Sequence, residues 1–162
     1  MQVLTVISFI TITLLVVLDQ YIKHIVVANM ELNGDPIGFI DGVLQWRYIL
    51  NDGASWGMLG GQTALLLSIT VVLMVILIGY LIFAKKLHWV GRVSFILVIA
   101  GGLGNMIDRI FNDGKVVDYI DVSPLFDFPI FNFADCCVTV GGVMLIIFIL
   151  FFFDKDQKAN AS

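Results

Sequence analysis

Four long stretches of the chain contain no charged residue, and shorter polar segments separate them. They comprise 16, 23, 15 and 18 residues, at Val3–Leu18, Gln62–Ala84, Val93–Ile107 and Cys136–Phe153. A helix needs about 20 residues to cross the roughly 30 Å hydrocarbon core of a bilayer. The second stretch reaches that length alone, whereas the first and third do so only by taking charged residues into the outer membrane. The pattern predicts four transmembrane helices.

The predicted fold class is an all-α integral membrane protein with one membrane-embedded domain over residues 1–162. The helices are expected at about 3–27, 62–84, 91–109 and 135–153, with outer connections at about 28–61 and 110–134. In the first connection, apolar and polar residues alternate imperfectly between Gly-containing turns. This pattern predicts one or two short strands at the membrane surface.

The composition agrees with a chain that has the bilayer as its solvent. Of the 162 residues, 59% are hydrophobic and 14% are charged, and the mean hydropathy is +0.98. These values leave little polar surface for a soluble globular domain. They also exclude a disordered chain, a disulfide scaffold and a basic nucleic-acid binder, so no nucleic acid is expected among the partners.

Basic residues in the short loops indicate the orientation of the helices. They lie between the second and third spans and after the fourth, at Lys85, Lys86, Arg92, Lys155 and Lys158. Because such residues are retained in cytoplasmic loops, both termini are expected inside the cell and both long connections outside.

This orientation brings nine strongly polar residues to the outer leaflet. Ionisable side chains are costly at membrane depth, and their presence there suggests a function. The nine residues are Asp19, Lys23, Asn51, Asn105, Asp108, Arg109, Asp118, Asn132 and Asp135.

Two predicted helix faces carry clusters of these residues. Asp19 and Lys23 are four positions apart with the acid first, which is the favourable order for an ion pair. Asn105, Asp108 and Arg109 also share a face, after glycines that allow helices to pack closely. The first cluster is interpreted either as a structural pair or as part of a site. Arg109 either binds a backbone carbonyl or lipid phosphate, or neutralises a carboxylate.

Asp118 and Asp135 have the most apolar neighbours of the acidic residues, and both are expected at the outer membrane boundary. Two carboxylates that meet in a poorly hydrated site share a proton, which leaves one as a general base and the other as a general acid. Such a pair activates water for amide hydrolysis. The spacing alone equally allows helix-capping residues or part of a proton or cation path.

Other catalytic chemistries have less support. His24 and His88 are predicted on opposite sides of the membrane, which argues against a histidine zinc site or a Ser-His-Asp triad. Cys136 and Cys137 are adjacent and have no histidine on their face, so they are interpreted as small apolar packing residues. Neither a metal nor a cofactor is expected.

Five motifs follow one another along the chain. They are Asp19-Gln20-Tyr21-Ile22-Lys23, Asn51-Asp52-Gly53-Ala54-Ser55-Trp56-Gly57, Gly101 to Arg109, Val117-Asp118-Tyr119 and Phe131-Asn132-Phe133-Ala134-Asp135. Together they strongly resemble the motifs of bacterial lipoprotein signal peptidases, the type II signal peptidases. Each motif is weak alone, but their order covers nearly the whole chain. One departure is Tyr119, where the family frequently has Phe, and only fine packing around the pocket and substrate preference are expected to change.

The resemblance implies an aspartic endopeptidase that removes the signal peptide from prolipoproteins. It would cut on the amino side of a cysteine that carries a diacylglyceryl group. By matching motifs, Asp118 and Asp135 are the catalytic pair. The residues that would support the site or bind substrate are Asp19, Lys23, Asn51, Gly53, Asn105, Asp108, Arg109 and Asn132.

The same resemblance has consequences for location and partners. It implies the bacterial cytoplasmic (inner) membrane, an active site at its outer face, and a monomeric protein with lipid-modified prolipoproteins and membrane lipids as partners. It further implies an enzyme that needs neither a cofactor nor a metal. It also implies a small outer β-structure and a short outer helix before Asp135.

Two other classes of membrane protein compete with this interpretation. A small transporter or proton-conducting protein would use the ionisable residues as a path across the bilayer. Such a path should also place charged residues at inner depths, whereas the middle and inner parts of Gln62–Ala84 and Cys136–Phe153 contain none. A purely structural four-helix subunit would leave the outer polar cluster unexplained.

Overall fold

The computed structural model of the protein describes residues 2–52, 63–84, 86–154 and 156–157. Four helices and three strands follow one another in these ranges. In chain order they are α1 (Gln2–Asn29), β1 (Ile37–Ile40), β2 (Leu44–Asn51), α2 (Thr63–Phe83), α3 (Trp89–Phe111), β3 (Val116–Asp121) and α4 (Phe133–Phe151).

All four helices are long and apolar enough to span a membrane, with 19 to 27 residues in each candidate span. The prediction of four transmembrane helices with a small β-structure is therefore confirmed. α3 is the central helix, because 61% of its most apolar window is buried inside the protein, against 17 to 22% for the other three. It is also the least apolar of the four, as expected for the helix that carries the most polar side chains.

A tight turn connects α3 directly to β3. The Asn112 N–H donates to the Asp108 carbonyl at 2.7 Å, and the Gly114 N–H donates to the Arg109 carbonyl at 2.9 Å. Asp113 and Gly114 have φ angles of 52° and 86°, in the left-handed region that Gly and Asp tolerate best. The turn reverses the chain, so β3 starts beside the polar end of α3.

The three strands form an antiparallel sheet in the order β1-β2-β3. In the pairing of β2 with β3, Asn51 is opposite Val116 and Ile49 is opposite Asp118. Side chains two positions apart on one strand share a face, so Asn51 and Asp118 are diagonal neighbours on the same face of the sheet. The register of this pair is what places an amide of β2 beside a carboxylate of β3.

The short outer helix expected before Asp135 is not formed, and this prediction is wrong. Only one turn is present, in which the N–H groups of Leu125 and Phe126 both donate to the Val122 carbonyl. Pro129 then disfavours a helical conformation for the residue before it. Phe131 is extended and pairs with β3, because its N–H and carbonyl are hydrogen-bonded to the backbone there.

The buried residues form three layers along the helices. A large apolar cluster joins residues of all four helices, including Ile12, Leu81, Phe95 and Phe148. A smaller apolar cluster lies under the sheet, around Tyr48. The layer between them contains most of the buried polar side chains. The apolar clusters hold the helices together on either side of that polar layer.

Candidate active site

A buried lysine connects α1 to the polar end of α3. Lys23 Nζ lies 2.9 Å from both Asp19 Oδ2 and Asp108 Oδ2. It also donates to Asn105 Oδ1 at 2.9 Å. None of the three charged side chains is more than 3% exposed. An unpaired charge at this depth would cost several kcal/mol, so the two carboxylates and the amide oxygen fix the lysine in place.

Gln20 belongs to the same buried layer, although the sequence reasoning assigned it no role. Its Nε2 lies 2.9 Å from Asp108 Oδ1, 3.2 Å from Asp19 Oδ2 and 3.1 Å from the Gly104 carbonyl. Asp108 Oδ2 also accepts the Val117 N–H at 3.0 Å, which attaches the end of α3 to β3. The sequence shows a polar amide directly after Asp19 at membrane depth, but it does not show the contact of Gln20 with Asp108 of α3.

Asn132 starts α4 with a capping box. Its Oδ1 accepts the Asp135 N–H at 2.9 Å, and Asp135 Oδ2 accepts the Asn132 N–H at 3.1 Å. The motif satisfies backbone donors that have no partner within the helix. It also fixes the side-chain direction of Asp135 in the first turn of α4.

The other two amides of this turn are satisfied from outside α4. The Phe133 N–H donates to the Tyr119 hydroxyl at 3.2 Å, and the Ala134 N–H donates to Asp19 Oδ1 at 3.1 Å. Tyr119 therefore contacts a backbone amide of the site, a contact that the expected effects on fine packing and substrate preference did not include. A hydroxyl buried at this position can accept a hydrogen bond that Phe cannot.

Side-chain amides bind both candidate catalytic carboxylates. Asp118 Oδ1 accepts from Asn132 Nδ2 at 2.6 Å and its Oδ2 accepts from Asn51 Nδ2 at 2.8 Å. Asp135 Oδ1 accepts from Asn105 Nδ2 at 2.7 Å. Asn132 contacts both acids, one through its side chain and the other through its backbone. These contacts hold two carboxyl groups of different elements in one small site.

The orientation of the Asn105 amide follows from its neighbours. Its Oδ1 accepts from Lys23 Nζ at 2.9 Å and from Asn132 Nδ2 at 3.1 Å. Because both of these groups are donors, the oxygen must face them and Nδ2 must face Asp135. The positive charge of Lys23 is thus linked to Asp135 through one amide group.

Burial raises the pKa of Asp118 from 3.8 to about 7. The negative charge of Asp135 contributes to this increase, whereas the hydrogen bonds from Asn51 and Asn132 and the positive charge of Lys23 limit it. The Asp118 side chain is 1% exposed, so desolvation of its charged form is the dominant cause. Proton exchange at this carboxyl group is therefore centred near neutral pH, where general acid and base catalysis is most effective.

A cavity of about 480 Å³ lies beside the two carboxylates. Its polar end is lined by Asp118, Asp135 and Arg109, and its walls further along α2 and α4 include Thr70 and Val138. Most of its lining residues are apolar. The arrangement suits an apolar ligand whose reacting group lies at the polar end.

Nine of the ten predicted site residues belong to the described part of the chain, and the structure brings them together in one cluster. Arg109 joins it by lining the cavity and by donating from Nη1 to the Asn105 carbonyl at 3.3 Å. The tenth, Gly53, lies outside the described residues, as do the following residues of its motif.

Cys136 and Cys137 are free cysteines that follow Asp135 directly in α4. Cys137 is buried and Cys136 lines the cavity beside Asp135. Over residues 2–52, 63–84, 86–154 and 156–157, no group of three or more His, Cys, Asp or Glu side chains could hold a metal ion.

This chain shares much of its sequence with known proteins. Residues 11–151 match the family described as Signal peptidase (SPase) II. A protein of Staphylococcus haemolyticus named lipoprotein signal peptidase is 37% identical over 94% of this chain and 96% of its own. One of the same name from Geobacillus kaustophilus is 39% identical, over 90% and 93%.

Solved structures agree with the sequence comparison. A bacterial membrane enzyme solved at 2.3 Å resolution superposes with a TM-score of 0.81 and 35% identity, over 88% of this chain and 87% of that one. A second, solved at 1.9 Å resolution, gives a TM-score of 0.78 and 34% identity, over 90% and 93%.

The fold and the cluster of buried polar groups define a multi-pass membrane enzyme with a pair of coupled carboxyl groups beside an apolar cavity. Members of the matched family are aspartic-type peptidases. This chain belongs to the signal peptidase II family.

Proposed function

We propose that the chain removes signal peptides from prolipoproteins by aspartic catalysis at the membrane boundary. The substrate carries a diacylglyceryl group on a cysteine, and the cut is made on the amino side of that cysteine. The observation that carries the proposal is the coupled pair of Asp118 and Asp135, held by shared amide donors beside an apolar cavity. The names of the relatives, which are lipoprotein signal peptidases, support the substrate class.

The geometry supports a mechanism in which the two carboxyl groups share one proton. One carboxylate takes a proton from a water molecule while the water oxygen attacks the scissile carbonyl carbon. The other carboxyl group gives its proton to the leaving amine when the C–N bond breaks. The pKa of Asp118 near 7 supports this exchange, because neither protonation state is strongly favoured at neutral pH.

The remaining polar residues have positioning roles in this proposal. Asn105 and Asn132 hold the carboxyl groups, and the layer of Lys23 and Asp108 holds Asn105 and β3. Arg109 lines the cavity and adds a positive charge near the carbonyl oxygen that becomes negative during the reaction. Asn51 of β2 donates to Asp118. Gly53 is assigned a supporting role by its match to the family motif alone.

The membrane setting follows from the same proposal. The enzyme spans the bacterial cytoplasmic membrane as one monomeric unit, with both termini inside and the site at the outer face. Basic residues near the opposite ends of the helices support this orientation. The lipid chains and the apolar signal segment of the substrate then stay in the bilayer while the scissile bond reaches the carboxyl groups. A transporter is not favoured, because the matched family is one of peptidases.

The test is cleavage of a diacylglyceryl-modified prolipoprotein by the purified protein, followed by mass measurement of the products. Asp118→Asn and Asp135→Asn should each abolish cleavage, because an amide neither takes a proton from water nor completes the shared-proton pair. Asp127→Asn is the matched control, since Asp127 is exposed in the same outer connection. Near-normal cleavage by either of the first two variants, in folded protein, would refute the aspartic mechanism.

A further inference from the structure

Two of the three glycines that precede Asn105 are required for helix packing. A Cβ at Gly101 would overlap the Ala134 carbonyl oxygen, and a Cβ at Gly104 would come within 2.5 Å of Asp19 Oδ2. Neither neighbour is the end of a flexible side chain in open space. Gly101 therefore allows α3 to approach the first turn of α4, and Gly104 allows α3 to accommodate the carboxylate of α1.

Gly102 differs from both, although it lies in the same motif. A Cβ at Gly102 would lie 3.4 Å from Thr70 Cγ2 and 3.8 Å from Met74 Sδ, which are ordinary contacts. Gly102 and Thr70 both line the cavity beside the carboxylate pair. Close packing therefore does not require glycine at position 102, where the missing side chain lies beside the cavity.

The position of Gly102 along α3 shows which part of the cavity it affects. It is seven residues before Arg109, which corresponds to about 10 Å along a helix. Arg109 lies at the polar end of the cavity, whereas the side chains nearest the Cβ position of Gly102 belong to Thr70 and Met74 of α2. Gly102 thus marks the deep, apolar end, on the side away from the outer face.

We propose that Gly102 determines how far an apolar chain of the substrate extends below the carboxylate pair. The proposal rests on the proposed function, because it assumes that the substrate occupies this cavity. The chain is a run of methylene groups, either from an acyl group of the lipidated cysteine or from an apolar side chain of the signal segment. Any side chain at position 102 takes up the space that these methylenes would fill.

The test compares Gly102→Ala and Gly102→Leu with the unchanged protein. Loss of burial should lower kcat/KM about fourfold for each methylene that is displaced, so the leucine variant should be affected more than the alanine variant. Gly142→Leu on α4 is the matched control, because a Cβ there has nothing within 4 Å. Thermal unfolding in detergent shows whether each variant is folded.

Two further substrates identify the source of the methylenes. One carries octanoyl instead of palmitoyl groups on the cysteine, and the other has alanine in place of leucine just before the cleavage site. If the octanoyl substrate gives the same kcat/KM with Gly102→Leu as with the unchanged protein, an acyl group reaches Gly102. If the alanine substrate does so instead, the side chain before the cleavage site reaches it. A folded Gly102→Leu variant with kcat/KM within twofold of the unchanged protein for all substrates would overturn the inference, as would an equal loss for all of them.

Binding measurements separate this inference from the proposed function. The same lipopeptides, carrying a fluorescent label, are titrated against Asp118→Asn protein with glycine or leucine at position 102. Leucine at position 102 of the protein should weaken the binding of the peptide that has palmitoyl groups or of the peptide that has leucine before the cleavage site. Such a result supports the role of Gly102 even without turnover. Equal binding of every peptide to both forms contradicts it. Failure of the unchanged protein to cleave any of the peptides contradicts the proposed function instead.

Discussion

Replacement of Asn132 by serine or by alanine should separate the stability of α4 from the chemistry of the carboxylates. The Asn132 side chain caps α4 through Oδ1 and binds Asp118 through Nδ2 at 2.6 Å. Serine keeps an oxygen that can cap the helix but has no second donor to replace the amide. Alanine removes both functions. The two variants therefore share the loss of the Asp118 contact and differ mainly in the cap.

The magnitudes follow from these two contacts. An N-cap contributes about 1 kcal/mol, so Asn132→Ala should be about 1 kcal/mol less stable than Asn132→Ser. A hydrogen bond to a charged group contributes roughly 1.5 to 3 kcal/mol. If that interaction positions Asp118 in the transition state, both variants should lose roughly 10- to 150-fold in kcat/KM. The loss of activity should therefore be similar in two proteins of different stability.

The assay combines thermal unfolding in detergent with cleavage of a lipid-modified prolipoprotein between pH 5 and pH 9. The Asn132 amide lowers the pKa of Asp118, although burial raises it overall to about 7. Loss of the amide should raise the pKa further, so the limb of the rate profile that Asp118 controls should move to higher pH. A serine variant with more than half of the normal activity and an unshifted profile would refute the positioning role of Asn132.

Three further predictions concern neighbouring residues. Burial raises the pKa of Asp118 from 3.8 to about 7, so the folded protein binds this proton more tightly than the unfolded chain does. The free energy of unfolding should therefore fall by at most about 4 kcal/mol as the pH rises from 4 to 7. Asp118→Asn should remove this fall, as measured by thermal unfolding. Tyr119→Phe leaves the Phe133 N–H without its acceptor, so the free energy of unfolding should fall by about 1 to 2 kcal/mol and turnover should decrease measurably. An unchanged free energy of unfolding and unchanged turnover would exclude this capping role. Replacement of both Cys136 and Cys137 by alanine should preserve most cleavage, and chelators should not inhibit it; inhibition that zinc reverses would contradict the mechanism.

The helices could be predicted because their signal is local. Stretches without charge are long enough to span a bilayer, and the spacing of Asp19 and Lys23 predicts the ion pair that the structure contains. The convergence of the polar residues followed from the number of spans alone. The prediction of a short outer helix was wrong because Phe131 pairs with β3, which keeps the chain extended there. This pairing is a contact between residues that are distant in the sequence.

The parts of the site that sequence reasoning missed depend on contacts between elements. The role of Gln20 requires knowing that Asp108 lies opposite it across two helices. The role of Tyr119 requires knowing that its hydroxyl reaches the first amide of α4. The glycines around position 102 look alike in the sequence, and only the neighbours of each Cβ position distinguish Gly101 from Gly102. Pairing across the fold therefore determines these roles, and residue type alone does not.

The way in which α4 begins also has a consequence for biosynthesis. Its first amides are bound by Tyr119 of β3 and Asp19 of α1, and both of these elements are synthesised before it. Asp135 therefore acquires its neighbours only when the fourth helix has entered the membrane and packed against them. We expect ribosome-arrested chains to gain peptidase activity only when Phe151 has left the translocation channel. On the proposed mechanism, a partly inserted chain would contain Asp118 without a positioned Asp135 and could not hydrolyse a peptide bond.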